Sequence, residues 1–192
     1  ERRFDAAGKI TGETGLRFRW PYQDNGREHT MTDQDLQAIK DELEIRNLVG
    51  KLATMADLDE DLDEYFTLWT DDATFDMRQP IGLEGDRPDL VWKVSGIEEL
   101  RTNRKHLRDI GFQGPGTNVW HANTTLHIKL IDAENAESQS YWVLLGSMER
   151  TEVLRVGHYR DTYRKIDGVW KIAYRRVTPG RAGTAPVMEG RS

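Results

Sequence analysis

His121 and Asp57 are the residues of this chain whose types could together do chemistry without a cofactor. His121 stands where a turn-rich stretch gives way to an alternating pattern, and Asp57 follows an apolar helical pattern far upstream. Histidine ionises nearest to neutral pH, so it can take or give a proton, and a neighbouring carboxylate can orient it. If the fold brings the two side chains together, they form a minimal proton-transfer site.

The element that must position Asp57 is a long helix, which apolar residues at helical spacing predict over residues 33–56. Asp57 lies four residues after Ala53 and eight after Val49, so a continued helix would point its carboxylate toward the apolar face. A second interpretation is a solvated carboxylate of the acidic run 57–64, or a helix cap.

The strand that must position His121 has to turn its side chain toward the interior, and the alternation of the strand does not do so by itself. Leu126, Ile128 and Leu130 form one face of a predicted strand over residues 121–131, and simple counting puts His121 on the other face. His121 can face an apolar pocket only if the strand begins after it or contains a bulge. Among the other histidines, His106 and His158 are weaker candidates with mainly structural roles, and His127 is expected to face outward with Lys129.

Aromatic residues are numerous enough to build a core and also to wall a cavity for a ring-bearing ligand. Asn123 and a tyrosine hydroxyl are the polar groups that could steady a developing oxyanion in such a cavity. The predicted substrate pocket is Trp69, Phe75, Trp92, Trp120, Asn123, Tyr141, Tyr159 and Tyr163.

The composition favours a cytoplasmic domain whose ligand is a small organic molecule. A formal net charge of -6 argues against nucleic-acid binding, which depends on Lys and Arg. A mean hydropathy of -0.72 and the lack of a bilayer-length apolar stretch argue against a membrane span. The chain has no Cys and no secretory signal pattern, and both features fit the cytoplasm.

Motifs for bound cofactors are missing from the sequence. There is no phosphate-binding loop, no dinucleotide fingerprint, no zinc-spaced His and Cys cluster and no nucleophile elbow. The acidic run also lacks the glycine and the spacing of a calcium loop. We therefore expect neither a cofactor nor a metal.

The order of predicted elements, helices first and then a meander of long strands, indicates the α+β class. Asp167 and Gly168 lie between the last two strands and are a strong hairpin signal. We predict an N-terminal arm over 1–30, a domain over 31–178 and a tail over 179–192. Further helices are predicted over 61–69 and 96–109, a loop over 80–88, and the remaining strands over 73–77, 91–94, 137–147, 153–165 and 169–177.

Several short stretches within and between these elements resemble those of a known family, and the resemblance covers about residues 33–178. They are the stretches 44–57, 65–75, 96–100 and 157–173, together with His121. This ordered set resembles the SnoaL-like branch of the nuclear transport factor 2-like superfamily. The resemblance implies a cone-shaped α+β barrel, in which about three N-terminal helices pack in a strongly curved, mostly antiparallel sheet that encloses a pocket.

Within that family the chain resembles scytalone dehydratase and related cofactor-free dehydratases and dehydrochlorinases. These enzymes are trimers that use an Asp and His pair, and the resemblance places the pair at Asp57 and His121. It implies a lyase or isomerase acting on a hydrophobic, cyclic small molecule, in a homo-oligomer for which a trimer is favoured over a dimer. The acidic loop here is a residue longer than in some relatives, so Asp59 is an alternative partner for His121.

Two other functions remain open for the same fold. Small (beta) subunits of aromatic-ring-hydroxylating dioxygenases share it, have no catalytic centre and hold metal-bearing large subunits together. This chain has Gly116 to Trp120 in place of their usual basic residues before the histidine, so this function ranks second. The third is a ligand-binding module that keeps the pocket without turnover.

Overall fold

Helices come first along the chain and long strands follow, as the sequence predicts. The computed structural model describes residues 31–59, 61–78, 92–147 and 150–180. The predicted arm over 1–30, the predicted loop over 80–88 and the tail beyond 180 lie outside these residues. The described elements are α1 (Asp33–Leu58), α2 (Asp63–Thr67), β1 (Trp69–Met77), β2 (Trp92–Ser95), α3 (Ile97–Asp109), β3 (Val119–Leu130), β4 (Asn135–Ser147), β5 (Thr151–Ile166) and β6 (Val169–Pro179).

The strands of the described residues form one curved, unclosed sheet, which confirms the α+β prediction. Its six strands lie in the order β2-β1-β6-β5-β4-β3. All neighbouring pairs are antiparallel except β1 and β6, which are parallel. Asp167 and Gly168 both have positive φ, 51 and 78°, which is the conformation that a tight two-residue hairpin between β5 and β6 requires.

The core lies between α1 and the concave side of the sheet. Ile45, Val49 and Leu52 of α1 are buried, together with Trp170 and Ile172 of β6. Burial of such side chains contributes about 1.5–3 kcal/mol each. The earlier apolar positions of the helix pattern are exposed in this chain: Leu36, Ile39 and Leu43. Among the described helices, α1 included, none has the length and apolar character needed to cross a bilayer.

The second helix is shorter than predicted and the first strand is longer. Helix α2 ends at Thr67, whereas the apolar pattern had predicted a helix to residue 69, and β1 begins at Trp69 instead of residue 73. Ile172 of β6 donates its N–H to the carbonyl of Leu68 at 2.9 Å, and Trp69 pairs with Ile172. Pairing with a strand a hundred residues away therefore overrides the helical pattern that predicts a helix to residue 69.

A buried ion pair crosses the last two strands. Asp161 of β5 accepts hydrogen bonds from Arg175 of β6 at 2.9 and 2.7 Å, and from the Tyr163 hydroxyl at 3.1 Å. Burial alone would lower the pKa of Arg175, but the charge and hydrogen bonds of Asp161 outweigh it and raise that pKa. Arg175 is therefore charged, and the two side chains satisfy each other's hydrogen bonds inside the sheet.

Gly157 of β5 provides a first testable prediction, because a larger side chain has no room there. A Cβ at this position would lie 2.5 Å from the Thr178 carbonyl oxygen and 2.6 Å from a ring carbon of Trp142. We expect Gly157→Ala to lower the free energy of unfolding by about 1–3 kcal/mol in urea denaturation. Gly50→Ala is the control: nothing lies within 4 Å of a Cβ in the middle of α1, so it should stabilise by about 0.5–1 kcal/mol. Equal effects of the two changes would contradict the close packing at Gly157.

Two buried tyrosines make the stability of the fold sensitive to alkaline pH. Burial raises the pKa of Tyr159 from 10.0 to about 12 and that of Tyr163 well above its ordinary value. The unfolded chain therefore loses these protons first as the pH rises. Below pH 10, the ionisation of Tyr159 should not affect the free energy of unfolding. By pH 12 it should lower that free energy by on the order of 2 kcal/mol.

Urea denaturation at stepwise pH measures this loss. Tyr159→Phe should make the alkaline decline shallower, whereas Tyr141→Phe, which changes an exposed ring, should leave it unaltered. An alkaline decline of the same steepness in Tyr159→Phe and the unmodified protein would show that Tyr159 does not ionise as a buried group.

Candidate active site

Asp57 and His121 are in direct contact in the fold. The Nδ1 atom of His121 lies 2.7 Å from Oδ1 of Asp57, and the backbone N–H of His121 donates to Oδ2 at 2.6 Å. Asp57 is only 5% exposed, so these hydrogen bonds are what compensates its charge in the interior. The structure brings together the two residues that the sequence singles out, although 64 positions separate them.

The contact sets the tautomer of the histidine. A carboxylate can only accept hydrogen bonds, so Nδ1 of His121 must carry the hydrogen. The lone pair of a neutral ring then resides on Nε2. The Asp57 carboxylate also stabilises the imidazolium that forms when Nε2 takes a proton.

Helix α1 and its neighbours position the carboxylate. Asp57 is in the last turn of α1 and, as the helical spacing predicts, is buried. Arg108 of α3 donates to the carbonyl oxygens of Met55 and Ala56 at 3.3 and 3.4 Å. A cation beside the carbonyls of the last turn is favourable, because this is the negative end of the helix. The end of α1 is thereby held against α3, and Asp57 is oriented.

A β-bulge in β3 explains why His121 faces the interior of the fold. The pairing of β3 with β4 shifts register between Thr124 and His127, so that β3 holds one residue more than β4 across this interval. Thr125 within the bulge has a positive φ of 54°. Because an inserted residue reverses the alternation, His121 faces the same interior as Leu126.

A cavity lies beside His121, bounded by α1, α3 and the concave side of the sheet. Its volume is about 80 Å³. A single water occupies about 10–15 Å³, so the cavity has room for a small organic molecule. Its apolar wall includes Leu52, Ala56, Phe75, Trp92, Trp142 and Val177.

Half of the predicted pocket residues line this cavity, and these are Phe75, Trp92, Asn123 and Tyr159. The other four lie elsewhere in the fold: Trp69 and Tyr163 fill the core, while Trp120 and Tyr141 are exposed. Trp120 precedes His121 on β3, so strand alternation turns it to the other face. Aromatic character alone does not determine the face on which a ring lies.

The other titratable candidates lie away from the pair. Asp57 and not Asp59 contacts His121, and Asp59 instead acts electrostatically on Arg108. His106 and His127 are exposed. His158 borders a separate cavity beside His127, and burial followed by the charge of Arg160 lowers its pKa.

Four polar residues of the cavity wall were not identified from the sequence: Arg104, Gln113, Arg155 and Arg175. One of them carries a usable signal. Arg104 lies four residues after the buried Leu100 on α3, so helical spacing places it on the inward face. No local pattern predicts the side on which Arg155 and Arg175 lie, because the face of a strand residue depends on the register of strand pairing. Arg155, for example, lies beside Leu144, which is also the cross-strand neighbour of His121.

The cavity offers hydrogen-bonding groups near the histidine. Asn123 lies two residues after His121 on β3, and its Oδ1 atom is buried without a partner. Amide oxygen and nitrogen can exchange places by rotation, so Asn123 can present either group to a ligand. The raised pKa of Tyr159 keeps its hydroxyl protonated at neutral pH as a donor. No group of three potential metal-ligating side chains occurs within the described residues.

Comparison with known proteins identifies the fold and the family. The model of the SnoaL-like domain matches residues 37–176, while no functionally curated protein matches the sequence. A structure of a protein of unknown function from Mycobacterium tuberculosis is 24% identical, with a TM-score of 0.61 over 80% of this chain and 79% of that chain.

Two further structural neighbours have assigned activities. A protein assigned as the beta subunit of an aromatic-ring-hydroxylating dioxygenase from Novosphingobium aromaticivorans is 16% identical, with a TM-score of 0.59 over 78% of this chain and 95% of that one. The hexachlorocyclohexane dehydrochlorinase of Novosphingobium barchaimii is 18% identical, with a TM-score of 0.56 over 79% of this chain and 99% of that one. Likeness at these identities shows a shared fold.

The domain match covers most of the chain, including Asp57, His121 and the elements that hold them. The chain belongs to the family of SnoaL-like domain proteins, on the nuclear transport factor 2-like fold.

Proposed function

We propose that the protein is a cofactor-independent lyase or isomerase that acts on a hydrophobic, cyclic small molecule through Asp57 and His121. The observation that carries the proposal is the pair of hydrogen bonds between the Asp57 carboxylate and His121 at the wall of the cavity. A buried carboxylate that orients an imidazole is an arrangement suited to proton transfer at neutral pH. We further propose a homo-oligomeric assembly, with a trimer favoured.

In the proposed reaction, Nε2 of His121 takes a proton from a carbon next to a carbonyl group. Asp57 stabilises the resulting imidazolium through Nδ1. The electron pair of the broken C–H bond forms an enolate, whose negative charge resides on the carbonyl oxygen. Asn123, through its amide N–H, and the protonated hydroxyl of Tyr159 are the proposed donors to that oxygen.

The fate of the enolate separates the two reaction classes. In elimination, its electron pair forms a C=C bond while hydroxide or halide leaves the neighbouring carbon with the bonding pair. A leaving hydroxide takes the proton from His121 and departs as water. In isomerisation, His121 returns the proton to a different carbon. The apolar wall of Phe75, Trp92 and Trp142 suits a cyclic substrate in either case.

The likeness to a dehydrochlorinase agrees with this proposal, whereas the likeness to a dioxygenase beta subunit supports a second candidate, a non-catalytic subunit. The subunit function would leave the buried pair of Asp57 and His121 without a use, so we rank it second. Purification of the chain alone, followed by mass measurement, separates them. A stable homo-oligomer favours the enzyme, and dependence on an iron-bearing partner favours the subunit.

The proposed base is tested by His121→Ala. The protein is incubated in D₂O with a panel of cyclic β-hydroxy ketones, and mass spectrometry follows α-proton exchange while absorbance follows the conjugated enone. We expect His121→Ala to lower the rate by about 10²–10⁴-fold, the usual contribution of a positioned general base. His127→Ala is the control, since His127 is an exposed histidine of the same strand. Undiminished turnover in His121→Ala would show that another group is the base.

The role of the carboxylate is tested by Asp57→Asn. The amide has nearly the same shape but can donate to Nδ1, which permits the wrong tautomer and removes the stabilising charge. We expect kcat to fall by about 10²-fold or more, with KM changed far less. Asp59→Asn is the matched control and should retain the rate, because Asp59 does not contact His121. The opposite ranking of the two variants would transfer the role to Asp59.

A further inference from the structure

Arg104 is a buried positive charge without an acidic partner among the described residues. It is 7% exposed, and its Nη2 donates to the Tyr65 hydroxyl at 2.6 Å. Its guanidinium carbon lies 5.0 Å from the centre of the Tyr65 ring and 5.8 Å from that of Phe75. The Nε atom is buried and has no hydrogen-bond partner. Because a guanidinium has five N–H donors, Arg104 retains capacity for a further acceptor.

The wall of the cavity is positively charged, although the whole chain carries -6. The charged side chains of its described lining are Arg104, Arg155 and Arg175, and no Asp or Glu side chain of the described residues lines it. Asp161 neutralises Arg175 at 2.7 Å. Asp57 in turn is engaged by His121, so neither carboxylate is available to balance Arg104.

A second arginine, Arg108, adds positive charge close to Arg104. Arg108 lies one helical turn after Arg104, and its pKa is lowered by burial and then by the charge of Arg104. The carbonyl oxygens of Met55 and Ala56 accept hydrogen bonds from Arg108, and the charge of Asp59 partly offsets the lowering of its pKa. Repulsion between two guanidiniums on α3 is relieved by an anion placed beside them.

Gln113 supplies an independent observation on the same cavity. It follows α3, lines the cavity wall and is 4% exposed. Its side-chain Nε2 is buried and has no hydrogen-bond partner. A buried N–H group without an acceptor is unfavourable, and a ligand oxygen would satisfy it.

We propose that the cavity binds an organic carboxylate, with the guanidinium of Arg104 as the anchor for the anionic group and Gln113 as a neutral donor. The planar fork of an arginine matches the two oxygens of a carboxylate, and such bonds are stronger in a site that excludes water. The apolar wall at Phe75 and Trp92 would take the hydrocarbon ring of the same molecule. The substrate class of the site is then a cyclic carboxylic acid.

This inference rests on the proposed function only in treating the bound carboxylate as the substrate. Binding itself requires no turnover. A binding measurement therefore separates failure of the anion site from failure of the Asp57 and His121 chemistry.

The test compares two probes of nearly equal shape, benzoate and benzamide, by isothermal titration calorimetry at neutral pH. We expect benzoate to bind at least about tenfold more tightly than benzamide. Arg104→Gln should abolish this preference, while Arg104→Lys, which keeps the charge but loses the fork, should retain part of it. Arg101→Gln is the matched control, since it removes a surface arginine of the same helix that pairs with Asp63.

Circular dichroism and thermal melting establish that each variant is folded, and Arg104→Lys keeps the test decisive if Arg104→Gln does not fold. Equal affinity for the two probes, no benzoate binding at millimolar concentration, or an unchanged preference in a folded Arg104→Gln protein would each overturn the proposal.

Discussion

The burial of the Asp57 carboxylate is the constraint on which the rest of the structure depends. A charge removed from water is tolerated only when hydrogen bonds replace its hydration, and His121 provides them through its backbone N–H and its ring. The end of α1 must therefore meet the start of β3, although the two residues are 64 positions apart. Arg108 holds the helix end at that point, and the bulge at Thr125 turns His121 inward. Through these contacts the buried carboxylate of Asp57 orients the imidazole ring of His121.

The same rule distinguishes the structural polar groups of the interior from those that face the cavity. Asp161 and Arg175 satisfy each other through two hydrogen bonds, so their pair is complete without a ligand. Arg104 and Gln113 are also buried and line the cavity, but each has a buried nitrogen atom without a hydrogen-bond partner. Buried polar groups are normally hydrogen-bonded, so incomplete satisfaction points to places where a ligand completes the network. The proposed anion site rests on this incomplete satisfaction at Arg104 and Gln113.

Much of the fold follows from local patterns. The α+β class, the long first helix and the hairpin at Asp167 and Gly168 were predicted from periodicity and turn chemistry, and the structure agrees. The predictions that fail depend on distant partners. Trp69 was assigned to a helix because its neighbours are apolar at helical spacing, yet its backbone pairs with Ile172. The apolar positions that begin the pattern of α1, such as Leu36, are exposed, whereas those from Ile45 onward are buried.

The sequence by itself determined the elements, the inward face of α1 and the residue types that could transfer a proton, because periodicity is a property of each segment alone. Only the tertiary structure decided that Asp57 and not Asp59 meets His121, that Trp120 and Tyr141 face away, and that Arg104 reaches the cavity. Each of these outcomes depends on the register of paired strands or on the packing of one element against another. A bulge of a single residue reverses the face of a strand, and local sequence does not specify where along β3 that residue lies.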